Sequence, residues 1–304
     1  MPCMTRKVLI EASGSLTAAY LVKAIQAAGY LCVASDIADQ CAARYLADDF
    51  LVMPLKNDPG HWKFTEGKLK EKKIDMVIPS LDELLLGWSE RREHLQDAGI
   101  NVIVSEVDTI AICLDKWKTY EFFLSNGIPT PMTSLEQRYP LLKPRYGRGG
   151  QGIELTSQQQ SMEGMVSQEV LEGTEYTVDI FCNRDHYPVY IVPRRRLNVS
   201  GGKSTGGITE NHHEIHMWVS RICHKMKFLG PVNIQCFVEK NGKPRFLEIN
   251  PRIAGGMALG FAATENWIQL MSSNIIDGKP IVPKPIRWGL RMMRYYAEVF
   301  VPYR

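Results

Sequence analysis

Phe246-Leu247-Glu248-Ile249-Asn250-Pro251-Arg252 stands near the C-terminal end and sets what the rest of the chain must supply. Read as a strand with a side-chain period of two, it puts Glu248, Asn250 and Arg252 on one face. Leu247 and Ile249 then fall on the other face as an apolar anchor. Pro251 cannot donate to a ladder, so the strand should end there, with Arg252 just beyond. A carboxylate, an amide oxygen and a guanidinium would thus recur about every 7 Å. Oxygen ligands suit Mg²⁺, which typically bridges a carboxylate to nucleotide phosphates. An adjacent arginine can hold a further anion bidentately. The same pattern also describes a half-buried antiparallel strand with a solvated polar face, so the preceding segments have to decide.

The chain has 304 residues, 45% hydrophobic and 23% charged, enough for two or three domain-sized cores. Thirty-six basic residues against 33 acidic ones leave a net charge of +3, which supports no nucleic-acid partner; any anion site must come from local patches. No stretch is apolar for long enough to span a membrane. Met1 to Arg6 is short and polar before the first apolar run, unlike a signal peptide. The seven cysteines are scattered and form no C-x-x-C pair. They read as reduced core thiols, and the expected compartment is cytoplasmic.

The first hundred residues alternate strand and helix. Val8-Leu9-Ile10 reads as a buried strand, Leu16 to Ala28 as a helical stripe ending at Gly29, and Leu31 to Ser35 as a second strand ending at Asp36. Phe50 to Met53, a charged helix over His61 to Lys73, Met76 to Ile78 and Asn101 to Val104 continue the pattern. This predicts a parallel sheet. Asp36 sits where a dinucleotide's ribose would bind, but Ala12-Ser13-Gly14-Ser15-Leu16 lacks the G-x-G-x-x-G spacing. Ser80 reads as a helix cap. Asp82 and Glu83 are either first-turn acids or contacts to a polar substrate.

A second pattern starts near Asp108. A helix over Lys116 to Ser125 stops at Asn126-Gly127, and Ile128-Pro129-Thr130-Pro131 reads as a linker. Lys143-Pro144 then leads into Arg145-Tyr146-Gly147-Arg148-Gly149-Gly150-Gln151-Gly152. So many glycines cost backbone entropy on ordering, which a loop that lays N–H groups over phosphates would explain. The order is not that of a Walker A loop, because the lysine precedes the glycines. Gln168-Glu169-Val170-Leu171 has the look of a hinge whose backbone could pair with a purine.

These segments, followed by Glu172-Gly173-Thr174-Glu175-Tyr176, Asn233-Ile234-Gln235 and Glu248-Ile249-Asn250-Pro251-Arg252, resemble in order and spacing the ATP-grasp superfamily. The likeness covers roughly residues 108 to 260 and is greatest to the branch of carbamoyl-phosphate synthase large subunits. The resemblance implies an α/β chain: an N-terminal Rossmann-like parallel-sheet domain (1–107), then a two-lobed ATP-grasp α+β domain (108–185 with the glycine lid, 186–304 with the metal and substrate site). It implies ATP and Mg²⁺ (or Mn²⁺) as cofactors. Lys116 and Lys143 would contact phosphates, and Gly149, Gly150 and Gly152 would cover them. Glu169, Val170 and Leu171 would meet adenine, and Glu175 the ribose. Gln235, Glu248 and Asn250 would hold the metal. Arg252 would hold the transferred phosphate, with Lys143 and Lys203 as further catalytic groups.

Downstream, Tyr187 to Val192 reads as a strand, and Arg194-Arg195-Arg196 with Ser200 to Thr209 as a flexible polar loop suited to a carboxylate or phosphate. His212, His213 and His216 lack H-E-x-x-H spacing, so a zinc site has little support. Leu290 to Val301 reads as a last strand whose Arg287, Arg291 and Arg294 are surface charges. The function expected from the resemblance is an ATP-dependent ligase. It would join a small-molecule carboxylate to an amine or thiol through an acyl phosphate. A nicotinamide-dependent Rossmann enzyme and a non-catalytic nucleotide-binding module are the alternatives. No nucleic-acid or membrane partner is expected, and a homodimer is left open.

Overall fold

A computed structural model describes residues 5–15, 17–200 and 203–302. The chain divides into two compact units. One runs up to Val104 and includes Asn266–Ile281 and the segment from Tyr295 onward; the other comprises Ser105–Glu265 and Val282–Arg294.

The first unit is built on β1 (Lys7–Ile10), α1 (Ala18–Ala27), β2 (Leu31–Asp36), α2 (Ala43–Leu46), β3 (Asp49–Val52), α3 (His61–Lys72), β4 (Met76–Ile78), α4 (Asp82–Asp97) and β5 (Asn101–Val102). The strands form a parallel sheet in the order β3-β2-β1-β4-β5. Central β1 is covered on both faces, so Val8, Leu9 and Ile10 are fully buried, which is why the run reads as continuously apolar. Asp36 closes the turn after β1: its carboxylate accepts the Gly14 N–H at 2.7 Å and the Ala38 N–H at 3.1 Å. Ser80 does not cap α4. Its hydroxyl donates to the Glu11 carbonyl at 2.8 Å, and Leu81 is the cap residue, without a side-chain bond. The Glu11 carboxylate accepts from the Ser80 N–H and from Trp88 Nε1, and burial pushes it up to about 7.

The second unit contains α5 (Val107–Leu114), α6 (Lys116–Ser125), β6 (Thr133–Ser134), β7 (Leu141–Pro144), β8 (Glu154–Leu155), β9 (Met165–Gln168), β10 (Thr174–Cys182), β11 (Pro188–Ser200), β12 (Lys203–Thr209), α7 (His213–Lys225), β13 (Gly230–Val238), β14 (Pro244–Asn250) and α8 (Ala258–Ala263), with β15 (Arg291–Met293) returning last. A small antiparallel sheet runs β6-β9-β7-β8, and a larger one β14-β13-β10-β11-β12-β15. The large sheet is two-faced. Tyr176, Val178 and Ile180 of β10 and Ile234 and Cys236 of β13 turn to the core, where Ile215, Val219 and Ile222 of α7 pack on them. Their alternates, Thr177, Asp179, Asn233 and Gln235, turn the other way.

Four expectations change here. The glycine-rich 200–209 stretch is mostly strand, with Gly206 and Gly207 paired to Leu197 and Arg196. The strand before it is correspondingly longer and contains Arg194, Arg195 and Arg196. The tail is a strand only over Arg291–Met293, and Arg294 is not a surface charge, since its Nε is buried. Leu247 does not anchor the core. The ladder shifts between Gln235 and Cys236, which oppose Glu248 and Phe246, so Leu247 is the extra residue of a β-bulge and Phe246 takes the core position.

Gly87 of α4 shows how tightly the first unit packs. A Cβ there would stand 2.1 Å from Trp62 Cζ2. That ring already lies edge-on to Trp88 at 5.1 Å, with the Arg91 guanidinium 4.2 Å from its centroid. Gly87→Ala gains about 1 kcal/mol of helix propensity, but an overpacked rigid ring costs about 1–3 kcal/mol. The substitution should therefore lower the urea midpoint. A raised midpoint would show that the Trp62 ring can yield.

Candidate active site

Lys143 lies on β7, and the glycine loop leaves directly after it. The residue is 6% exposed, and its ammonium donates to Gln168 Oε1 on β9 at 2.8 Å. Gln168 Nε2 in turn donates to Thr133 at 2.8 Å. Burial pushes the Lys143 ammonium down to about 8. The Glu248 charge opposes that shift and Lys116 adds to it.

The loop is anchored at its root by Asp115, which is fully buried and caps α6 by accepting the Trp117 N–H at 2.9 Å. The same carboxylate binds the Arg145 guanidinium and accepts the Tyr146 hydroxyl at 2.9 Å. Burial works against its charge, but these donors hold it below the usual carboxylate value. Lys116 Nζ donates to the Gly147 carbonyl at 2.9 Å. Gly147, Gly149, Gly150 and Gly152 all take positive φ, the region side chains avoid. The composition of this loop is thus a backbone requirement.

The loop, the hinge and the large sheet enclose a cavity of about 340 Å³, within the ordinary range for small-ligand sites. Lys116, Lys143, Gly149 and Gly150 line it, as do Glu169, Val170, Leu171 and Glu175. Gln235 and Glu248 face it from the sheet, and Leu141, Ile153, Phe237 and Leu247 give it apolar walls. Gly152, Asn250 and Arg252 are not part of its lining. Gly152 abuts Pro144. Asn250 sits beside the cavity, its Nδ2 donating to Glu248 Oε1 at 3.1 Å, and Arg252 Nη1 donates to the Ile253 carbonyl at 3.2 Å. Lys203 opens β12, but its side chain lies outside the described residues.

Two acids that line the cavity already have partners. The Glu169 carboxylate accepts from Arg245 at 2.6 Å and from the Met132 N–H at 3.1 Å, and Arg245 holds it below the usual value. Glu175 is ion-paired to Arg196, which also lines the cavity. The sequence gives no role to Leu141 or Phe237, and it marks Gln168 only as part of the hinge and Arg196 only as part of a polar substrate loop. Cross-strand register places them, and no local spacing reports it. His212 is a helix cap, accepting the Ile215 N–H through Nδ1 at 3.3 Å. Among the described residues no cluster of three His, Cys, Asp or Glu side chains could hold a metal, so the histidine cluster offers no zinc site.

Comparison with known proteins fits this arrangement. Residues 161–296 match the family described as ATP-grasp in the biosynthetic pathway with Ter operon, and residues 8–103 match the PylC-like N-terminal domain. Over residues 161–296 the chain is thus similar to ATP-grasp proteins. It is 25% identical over 142 residues to a carbamoyl-phosphate synthase from Methanobrevibacter smithii, covering 38% of this chain. It is 23% identical over 268 residues to the arginine-specific large chain from Halalkalibacterium halodurans, covering 77% of this chain. The matches span 39% and 25% of those two curated relatives. Among solved structures, L-amino acid ligase from Bacillus licheniformis superposes with a TM-score of 0.71 at 17% identity, over 92% of this chain and 75% of that one. N5-carboxyaminoimidazole synthetase from Staphylococcus aureus, complexed with ADP, superposes at 0.73 and 16%, over 93% and 80%. These superpositions show a fold shared with this chain. Among the described residues no helix is long and apolar enough to cross a membrane.

Asp115 makes three hydrogen-bonded contacts from a fully buried position. Asp115→Ala removes the α6 cap and leaves Arg145 without its carboxylate. It should lower unfolding free energy by about 1–3 kcal/mol. An unchanged guanidinium midpoint would show that the anchor contributes nothing.

Proposed function

We propose that the protein is an ATP-dependent ligase that activates a small-molecule carboxylate as an acyl phosphate and passes the acyl group to an amine. The observation that carries this reading is the convergence of Lys143, the glycine loop and Glu248 on one cavity. Support comes from relatives with the same fold. One is named an amino acid ligase, and one was solved with ADP.

Lys116, Lys143 and the loop N–H groups suit the phosphates of ATP, and the backbone of Glu169 to Leu171 suits its base. Glu175, free to exchange Arg196 for a sugar hydroxyl, suits the ribose. Glu248, Asn250 and Gln235 offer oxygen donors, a set that fits Mg²⁺ better than a softer metal. One carboxylate with two amides is a sparse cage, but Mg²⁺ commonly takes one or two carboxylates and completes its shell with substrate phosphates. When bound there, the metal would neutralise phosphate charge.

In the first step a substrate carboxylate oxygen attacks the γ-phosphorus, and the bond to the β-phosphate oxygen breaks to release ADP. In the second an amine attacks the acyl carbon, loses a proton and expels phosphate. The chain's own part is to hold the phosphates by Lys143 and the loop, exclude water beneath that loop and present Arg252 to the anion formed. Positioning and electrostatics carry the rate, and no protein nucleophile is needed.

Two experiments test the reading. Glu248→Ala should abolish carboxylate-dependent ADP release and remove the Mg²⁺ dependence of the ATP-induced rise in Tm, with the ligand-free Tm unchanged; turnover at the wild-type rate would overturn the metal assignment. The second concerns Lys143. Phosphate binding favours its charged form, so bound ATP raises its pKa above about 8. Affinity should be full below pH 8 and fall as pH rises, by up to about tenfold per pH unit. Lys143→Arg, charged throughout, should flatten the dependence between pH 7 and 9. A wild-type affinity constant over that range would remove Lys143 from the phosphate site.

A further inference from the structure

Beyond β13 and β10 from the Glu248 strand, the same sheet face carries a second set of charges. Arg194 on β11 is 3% exposed, and its Nε donates to Asp179 Oδ2 at 2.7 Å. Asp179 is fully buried and also accepts Asn233 Nδ2, on Oδ1, at 2.8 Å. Each carboxylate oxygen therefore has a partner, and Asp179 fixes the Arg194 side chain from behind. The far end of that side chain lies against Gly256. A Cβ on Gly256 would stand 2.4 Å from Arg194 Cζ and Nη2 and 2.5 Å from Nη1. Arg294 approaches the same loop. Its backbone N–H donates to the Thr205 carbonyl at 2.9 Å, and its Nη2 is 3.9 Å from the Cβ position of Gly255. Its Nε is buried with no hydrogen-bond partner. Burial first, and then the charge of Arg194, hold the Arg294 guanidinium below its usual value.

Two guanidiniums therefore meet at one glycine pair, with one carboxylate to offset them. A buried N–H without an acceptor costs about 1–3 kcal/mol, and like charges at close quarters add to it. An anion lying between the two forks would remove both costs. After Asp179 has offset one charge, a single positive charge remains, which matches a monoanion. A carboxylate is also the planar shape a guanidinium fork binds bidentately. The phosphates have their own cations in Lys116, Lys143 and Arg148.

We propose that Arg194 and Arg294, seated against Gly255 and Gly256, form a carboxylate-binding subsite for the substrate, apart from the nucleotide cavity. The substrate role rests on the ligase reading; the anion site does not. Arg194 and Arg294 set which acid is accepted, because they take the charged group of the molecule to be activated, or a second carboxylate on it.

The test uses the full chain and sodium acetate as probe. Thermal unfolding is followed in acetate and in sodium chloride of equal ionic strength, each with and without Mg²⁺ and a non-hydrolysable ATP analogue. Acetate should raise the wild-type Tm saturably beyond chloride. Arg294→Gln should weaken the apparent acetate affinity about tenfold or more, while the shift produced by the ATP analogue stays as in wild type. Gly256→Ala is the second variant. The three atoms nearest its methyl all belong to the movable end of Arg194, so the sheet should fold while the guanidinium is displaced, and acetate affinity should fall comparably. An acetate effect equal to that of chloride, or equal in wild type and both variants, would overturn the subsite. So would loss of the nucleotide shift together with the acetate shift, since the arginines would then belong to the nucleotide cavity. If the ATP analogue gave no shift in wild type, the ligase reading would fail, and the acetate arm alone would still decide the subsite.

Discussion

One extra residue in β14 determines what the large sheet can present. With strict alternation outward from buried Phe246, Glu248 and Asn250 would point into the core and Ile249 would point away from it. The bulge at Leu247 resets the phase, so Phe246 and Ile249 are both buried while Glu248 pairs with Gln235 on the opposite face. A carboxylate that would be costly to bury instead faces a cavity, and the core keeps two large apolar side chains. The displaced Leu247 is not wasted, because it becomes part of the cavity wall.

That bulge also explains which features were legible in the sequence. Alternation counted from Glu248 correctly pairs it with Asn250 and sends Ile249 to the core. It fails at Leu247, because a bulge leaves no mark in side-chain period until the partner strand is known. The βαβ opening was readable because buried parallel strands are continuously apolar, as Val8-Leu9-Ile10 is. The glycine loop was readable because positive φ demands its residue type. Gln168, Arg196 and Arg294 were not. Each acquires its place from a strand far away in sequence: Gln168 from β7, Arg196 from Glu175 on β10, and Arg294 from the edge pairing of β12 with β15. The polar 200–209 stretch looked like a loop for a related reason. Gly206 and Gly207 are poor strand formers alone, but Gly206 leaves room for the Met293 sulfur and Gly207 packs near Leu259.

The two cations that lead into the glycine loop show how one element can be both anchored and responsive. Arg145, at the loop's root, is matched by Asp115, a buried carboxylate that also caps a helix and takes the Tyr146 hydroxyl. Every charge there has its counter-charge, which is the arrangement that holds a chain segment still. Lys143, two residues earlier, hydrogen-bonds to the amide of Gln168, which positions the ammonium but brings no negative charge to it. Glu248 acts on it only through space. Desolvation therefore remains largely uncompensated, as the depressed pKa records. A carboxylate at position 168 would relieve that, and would also compete with any phosphate for the same ammonium. The amide keeps the lysine oriented while leaving its charge to be satisfied by a ligand, and the loop pinned by Asp115 carries the backbone N–H groups that would share that ligand.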